Sequence, residues 1–104
     1  MICKTLMLAA ALAVASAPAL AAGPEDAMNK AGCMACHSKD KKLVGPSFKD
    51  IAAKYKGQDV TAKLMEKVRK GGSGSFGPIP MAPNGPDKIS DADLKAAVES
   101  ILKS

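Results

Sequence analysis

Residues 33–37 read Cys33-Met34-Ala35-Cys36-His37, a C-x-x-C-H motif. This spacing is the attachment signature of a c-type haem. Two thiols three positions apart on one helical turn can each add across one vinyl group of a haem, and the adjacent imidazole can then bind the iron. His37 is the single histidine of the chain. The motif therefore predicts one haem c with iron, covalently held through Cys33 and Cys36 and ligated by His37.

Three other interpretations of the motif are less favoured. A structural zinc site needs about four Cys or His ligands, and beyond the first few residues the chain has two cysteines and one histidine. A thioredoxin-like C-x-x-C requires a βαβ context, and the sequence shows no alternating strand pattern. A disulfide between Cys33 and Cys36 would close a very short and strained loop.

The N-terminus has the pattern of a secretory signal peptide. Lys4 supplies a positive n-region, residues 6–15 are an apolar run, and residues 19–21 (A-L-A) fit a small-x-small cleavage site. The apolar run is short for a membrane span and no stop-transfer pattern follows it, although an uncleaved anchor stays open. We therefore expect a signal peptide over residues 1–21 and one domain over residues 22–104, exported to the compartment where c-type haem is attached.

The exported domain has a thin apolar core for its size. The whole chain has three aromatic residues, Phe48, Tyr55 and Phe76. A chain of about 80 residues buries little surface and usually needs an additional stabilising element, such as a disulfide or a bound metal. A buried haem would supply a large, flat, apolar filler, so the composition itself favours a cofactor.

The chain is basic, with a net charge of +5. Nine of the 14 lysines are scattered over residues 39–70, which fits either an ordinary solvated surface or a basic face that steers docking onto acidic redox proteins. Nucleic acid is disfavoured as a partner because the chain has no nucleic-acid-binding motif and is expected to be exported.

Apolar periodicity and end signals predict about four short helices and no strand. The first begins at Pro24 and stops at Gly32, the second spans about residues 47–56, and the third spans about residues 60–70 with Asp59 as its cap. The last begins with a capping-box-like segment at Ser90. Its apolar stripe must pack against another element, and the first helix is the expected one.

The segment 71–89 is a long loop in which nine of 19 residues are Gly or Pro. Such a loop is usually functional or disordered. Met81 lies between prolines in this loop and is not part of the apolar face of a helix, so it is the expected sixth ligand of the iron. Met34 is confined between the haem cysteines, whereas Met28 and Met65 are expected to pack on the inner faces of helices. A His/Met pair raises the reduction potential and fills both axial positions.

Several of these segments resemble the small bacterial class I cytochromes c of the c-551/c-552 type. The similar segments are residues 33–37, residues 44–46 (V-G-P), residues 77–81 (G-P-I-P-M, with Met81 44 residues beyond His37) and the capped final helix. The resemblance implies an all-α class I cytochrome c fold, with about four short helices around one covalently bound haem and the terminal helices crossing. It also implies a periplasmic one-electron carrier between respiratory redox proteins, not an enzyme.

The resemblance also implies roles for residues around the ligands. Pro46 corresponds to a proline whose carbonyl accepts a hydrogen bond from the proximal histidine, and Asn84 to an asparagine that hydrogen-bonds near the methionine sulfur. Lys67 and Arg69 fall where family members place basic residues near a haem propionate. Phe76 departs from the pattern, since it replaces a tryptophan that donates a hydrogen bond.

Two further departures lie on the terminal helices. Ser100 stands where the family usually has an aromatic residue, and Met28 takes a usual bulky apolar position. The contact where these helices cross is therefore expected to be weaker.

Partners and rival functions stay open at this point. A nitrite reductase, a terminal oxidase, a quinol–cytochrome reductase or a sulfur-oxidising enzyme could exchange electrons with a monomer of this kind through a lysine-rich face. One rival is a haem peroxidase or gas-binding domain with a displaceable sixth ligand, although the chain lacks a second histidine to act as distal acid or base. Another is a subunit role inside a larger haem complex.

Overall fold

The computed structural model describes residues 23–104, so the predicted signal peptide lies outside the described residues. Four α-helices follow one another: α1 (Pro24–Ala31), α2 (Phe48–Lys54), α3 (Thr61–Lys70) and α4 (Asp91–Leu102), with a short 3₁₀ turn (Cys33–Ala35) after α1. Over residues 23–104 the extended pairing is limited to two isolated bridges, so the all-α prediction is confirmed. In the same range, no helix has the length and apolarity needed to span a membrane.

Serine side chains cap two of these helices. The Ser47 hydroxyl accepts a hydrogen bond from the Asp50 N–H at 3.1 Å at the start of α2. The Ser90 hydroxyl accepts one from the Asp93 N–H at 3.2 Å at the start of α4, which confirms the cap predicted there. Each cap satisfies one of the unpaired N–H groups of a first helical turn.

The cap predicted for α3 is wrong. The helix begins at Thr61, which puts Val60 rather than Asp59 in the cap position, and no side chain caps it. Val60 is buried in the core. Burial of this apolar side chain sets where the helix starts. Asp59 therefore lies one position before the cap.

Gly32 ends α1 as predicted, and its backbone conformation explains why. Its φ of 82° lies in the left-handed region, and its N–H donates to the carbonyl of Asn29. A Cβ added at this residue would meet no atom of the protein within 4 Å. Glycine is therefore favoured here because an L-residue rarely adopts this φ, and not because a neighbouring helix crowds it.

Helix α4 is the centre of the core. Its inner residues Leu94, Ala97 and Val98 are each 2% exposed, and they form one cluster with Ala27 and Met28 of α1. Helices α2 and α3 pack against α4 as well. The prediction that the apolar stripe of α4 packs against α1 is confirmed. Because the other three helices all contact α4, the segments between them surround a space beside it.

Arg69, in the last turn of α3, ties the end of the methionine loop (residues 71–89) to α4. Its guanidinium donates to the carbonyl oxygens of Asn84 at 3.2 Å and Ile89 at 2.8 Å, and it pairs with the Asp91 carboxylate at 2.5 Å. The backbone N–H of Asn84 donates in turn to Val68 at 2.9 Å. The guanidinium thus holds the chain that leaves Met81, and the place near a haem propionate that the resemblance implied for Arg69 stays a prediction.

Candidate haem site

The four predicted haem-binding side chains line one cavity of about 780 Å³ between the helices and the methionine loop: Cys33, Cys36, His37 and Met81. This volume lies within the roughly 300–1,000 Å³ typical of pockets that enclose cofactors and other small molecules. Most of the other large side chains around it are apolar: Val44, Phe48, Ile51, Leu64, Val68, Phe76, Ile79, Val98 and Ile101. An apolar wall with two thiols, one imidazole and one thioether fits a haem attached by thioether bonds and ligated on both axial sides.

Both cysteines lie on a single tight turn. The N–H groups of Cys36 and His37 donate to the Cys33 carbonyl at 3.2 and 3.0 Å, which holds the motif compact. Cys33 is half-buried and Cys36 is exposed, and no disulfide joins them. Burial raises the pKa of the Cys33 thiol, although a backbone hydrogen bond opposes part of that shift. The thiol faces apolar surroundings that suit the vinyl edge of a haem.

A hydrogen bond sets the tautomer of His37. Its Nδ1 lies 2.7 Å from the carbonyl oxygen of Pro46, the contact that the resemblance implied. A carbonyl oxygen only accepts, so Nδ1 carries the proton and Nε2 of the neutral ring keeps its lone pair. Fixing a histidine in this way orients the ring and raises its basicity as a metal ligand.

Two neighbours hold the imidazole in place. The Phe48 ring stacks on it, with 5.7 Å between ring centres and 23° between planes. Gly45 lies against the ring so closely that an added Cβ would be 2.6 Å from Cε1 and 3.0 Å from Nδ1. At this Gly-Pro pair the resemblance implied a role for Pro46 but none for Gly45. The role of Gly45, to leave room for the ligand ring, could not be identified without the contact itself.

Gly45→Ala is expected to displace the imidazole or the turn that holds it, because the new methyl group would overlap the ring. Overpacking of this kind costs about 1–3 kcal/mol. Guanidinium unfolding should show the loss of stability, and the haem spectrum should show a disturbed axial ligand. Gly23→Ala is the matched control, since a Cβ at Gly23 meets nothing within 4 Å. Equal stability of the two variants would contradict this role of Gly45.

The loop that carries Met81 is closed at its base. The backbone groups of Gly72 and Met81 exchange two hydrogen bonds, each of 2.9 Å. Gly71, where α3 ends, has a φ of 69°, and a Cβ there would overlap the Met81 carbonyl oxygen. The residue just before the bridge must therefore be glycine. Residues 72–81 form a closed loop, and the half-buried Met81 side chain at its end lines the cavity.

The remaining predicted residues lie around this loop. The side-chain amide of Asn84 donates to the Ala82 carbonyl at 3.1 Å, one residue after Met81, and its contact with the methionine sulfur stays a prediction. Lys67 lines the cavity, and its Nζ lies 3.5 Å from the Ser73 carbonyl oxygen. Its place near a propionate also stays a prediction.

Basic residues are prominent among the charged residues around the cavity. Its lysines are Lys42, Lys63, Lys67 and Lys70, and its acidic residues are Asp50 and Glu66. Lys70 and Glu66 form an ion pair of 2.6 Å one turn apart on α3, which lowers the pKa of the carboxyl group and raises that of the ammonium.

The known proteins to which this chain is similar are of one kind. The Cytochrome c family model matches residues 21–104. The chain is 51% identical over 84 residues to cytochrome c2 of Rubrivivax gelatinosus, covering 80% of this chain and 99% of that protein. It is 46% identical over 79 residues to cytochrome c-551 of Azotobacter vinelandii, covering 75% and 93%. The crystal structure of Nitrosomonas europaea cytochrome c552 superimposes with a TM-score of 0.70 at 46% identity, over 76% of this chain and 96% of that one.

Proposed function

The chain belongs to the cytochrome c family, and from this premise we propose that it is a periplasmic one-electron carrier with His37 and Met81 as axial ligands. Its fold is the all-α class I cytochrome c fold, its cofactor is covalently bound haem c with iron, and its class is that of haem-based electron carriers. The ligand pair, the compartment and the partners are the parts that we propose.

One observation carries the proposal: both cysteines of the motif, the oriented imidazole of His37 and the thioether of Met81 line the same apolar cavity. When bound, haem supplies an iron that changes between the ferric and ferrous states. The protein's own groups would hold that iron in nearly the same surroundings in both states. The Pro46 carbonyl fixes the His37 ring, and the Gly72–Met81 bridge fixes the backbone of the thioether ligand.

The proposed ligand set favours a carrier over an enzyme. A thioether in the sixth position leaves little room for a substrate or gas at the iron. His37 is the single histidine of the chain and its Nδ1 is engaged with Pro46, so it does not supply a distal acid or base. Electron transfer through the haem edge needs only transient contact with a partner.

The surface supports small, transient docking. The lysines around the cavity suit brief contact with an acidic redox protein, since opposite charges accelerate encounter. We propose export by a signal peptide over residues 1–21, a monomer in the periplasm, and respiratory donors and acceptors such as a nitrite reductase, a terminal oxidase or a quinol–cytochrome reductase. A pull-down from the native periplasm would identify them.

A visible spectrum of the mature protein, followed during redox titration, tests the proposal. We expect a low-spin, six-coordinate haem in both oxidation states and a methionine–iron charge-transfer band near the red end of the ferric spectrum. The ferrous protein is expected to bind carbon monoxide poorly. A high-spin ferric spectrum, or ready binding of carbon monoxide, would overturn the Met81 assignment and favour a sensor or peroxidase.

A further inference from the structure

Lys54, the last residue of α2, contacts the loop that carries Met81. Its Nζ donates a hydrogen bond to the Ser75 carbonyl oxygen and lies 4.3 Å from the centre of the Phe76 ring. The same ammonium lies 5.6 Å from the centre of the Tyr55 ring. The rings of Tyr55 and Phe76 meet edge to face, with centres 6.3 Å apart and planes at 75°. One side chain thus joins α2 to the outer part of the loop.

The loop's other polar contacts are weaker or internal to it. The Gly72–Met81 bridge closes its base, and the Gly74 N–H donates to the Gly77 carbonyl at 2.9 Å across its tip. Lys67 reaches the Ser73 carbonyl from α3, but at 3.5 Å, the limit of a hydrogen bond. Over residues 23–104, two side chains thus connect the tip to a helix: Lys67, at this limit, and Lys54.

Lys54 acts from outside the cavity. Tyr55, Ser75 and Phe76 are among the residues that line it, and Lys54 is not. Its ammonium lies over ring faces that carry negative charge density, which attracts a cation. A phenylalanine at position 76 has no polar atom to hydrogen-bond into the cavity, so its ring is held by the Lys54 cation and by the Tyr55 ring.

We propose that Lys54 is a positioning residue for Met81, because it holds the loop tip against α2 and so limits opening of the loop. This role rests on the proposed ligation of the iron by His37 and Met81. Opening of the loop must precede replacement of the thioether by an outside ligand. Loss of the tie therefore speeds ligand replacement without changing any group that touches the haem.

Lys54→Met tests this role, because methionine keeps a flexible apolar stem and removes the cation and the donor. In the ferric holoprotein, imidazole is expected to replace the methionine ligand about fivefold faster, the effect of losing one exposed cation–π contact and a hydrogen bond. Lys54→Arg should stay within about twofold of the unmodified protein, since guanidinium keeps the charge, the donors and the stacking. Lys56→Met, at an exposed residue, removes the same charge two positions away and should have no effect.

A second variant separates the ring contact from general stability. Phe76→Leu keeps an apolar side chain but removes the ring face, and it should also speed imidazole binding, while a thermal melt shows whether each variant is folded. Imidazole rates that stay unchanged in Lys54→Met, or that rise equally in Lys56→Met, would overturn the role of Lys54. Absence of the methionine–iron band in the unmodified protein would overturn the proposed ligation itself, and the positioning role with it.

Discussion

Replacing both Cys33 and Cys36 by alanine is expected to abolish covalent haem attachment. The two thiols are the cysteine side chains that line the cavity, and a thioether bond to a vinyl group needs a thiol. After extraction with acidified organic solvent, the denatured variant should have the mass of the polypeptide alone. A denaturing gel should show no haem stain at its position.

The same variant is also expected to lose much of its helical structure. Without the cofactor, the apolar walls of a cavity of about 780 Å³ face water, and each 100 Å² of exposed apolar surface costs about 2.5 kcal/mol. The net stability of a domain is only about 5–15 kcal/mol, and the core around α4 is small. Far-ultraviolet circular dichroism should therefore show a large loss of helicity.

Met34→Ala is the control for the cysteine variant. Met34 lies between the two cysteines and is 38% exposed, so its loss should leave attachment and helicity near those of the unmodified protein. Haem that survives extraction in the double alanine variant would contradict attachment through these cysteines. A fully helical haem-free variant would contradict the structural role of the cofactor.

The helices could be predicted from the sequence because their signals are local. The capping serine of α4 and the 3.6-residue apolar stripe behind it lie within one segment, and so does the glycine at the end of α1. The misplaced cap of α3 shows the limit of such signals. Asp59 is a good capping residue in isolation, but burial of Val60 in the core shifts the helix start by one position, and that burial depends on distant residues.

The attachment chemistry of the site could be predicted from the sequence for the same reason, but the contacts that support the site could not. A five-residue motif specifies the attachment of haem, and one methionine between prolines stands out as the proposed sixth ligand. The contact of Gly45 with the His37 ring, however, joins residues brought together by a turn. Arg69 and Lys54 act on segments that lie about 20 residues further along the chain. Their sequence context resembles that of any exposed basic residue near the end of a helix, and only the fold shows which carbonyl each one reaches.

Met81→Ala is expected to open the sixth coordination position of the iron. The backbone of residue 81 should stay in place, since the two hydrogen bonds with Gly72 involve main-chain atoms only. The change therefore removes the thioether without dismantling the loop. The ferric spectrum should lose its red-end charge-transfer band and gain high-spin character, and the ferrous protein should bind carbon monoxide readily.

The reduction potential of this variant is expected to fall. A thioether ligand favours the ferrous state and raises the potential, and axial ligands as a class tune haem potentials over about 0.8 V. Loss of the methionine alone should lower the midpoint on the order of 0.1–0.3 V, within that range. A spectroelectrochemical titration of the holoprotein measures the shift directly.

Met65→Leu is the matched control for the ligand. Met65 lies on α3 and packs against the core around α4, so leucine should keep its volume and leave the spectrum and the potential unchanged. The comparison is decisive because both methionines are half-buried, and only Met81 lines the cavity with His37. If Met65→Leu removed the charge-transfer band and Met81→Ala kept it, the iron would have a different sixth ligand. The loop would then close the cavity without supplying a ligand.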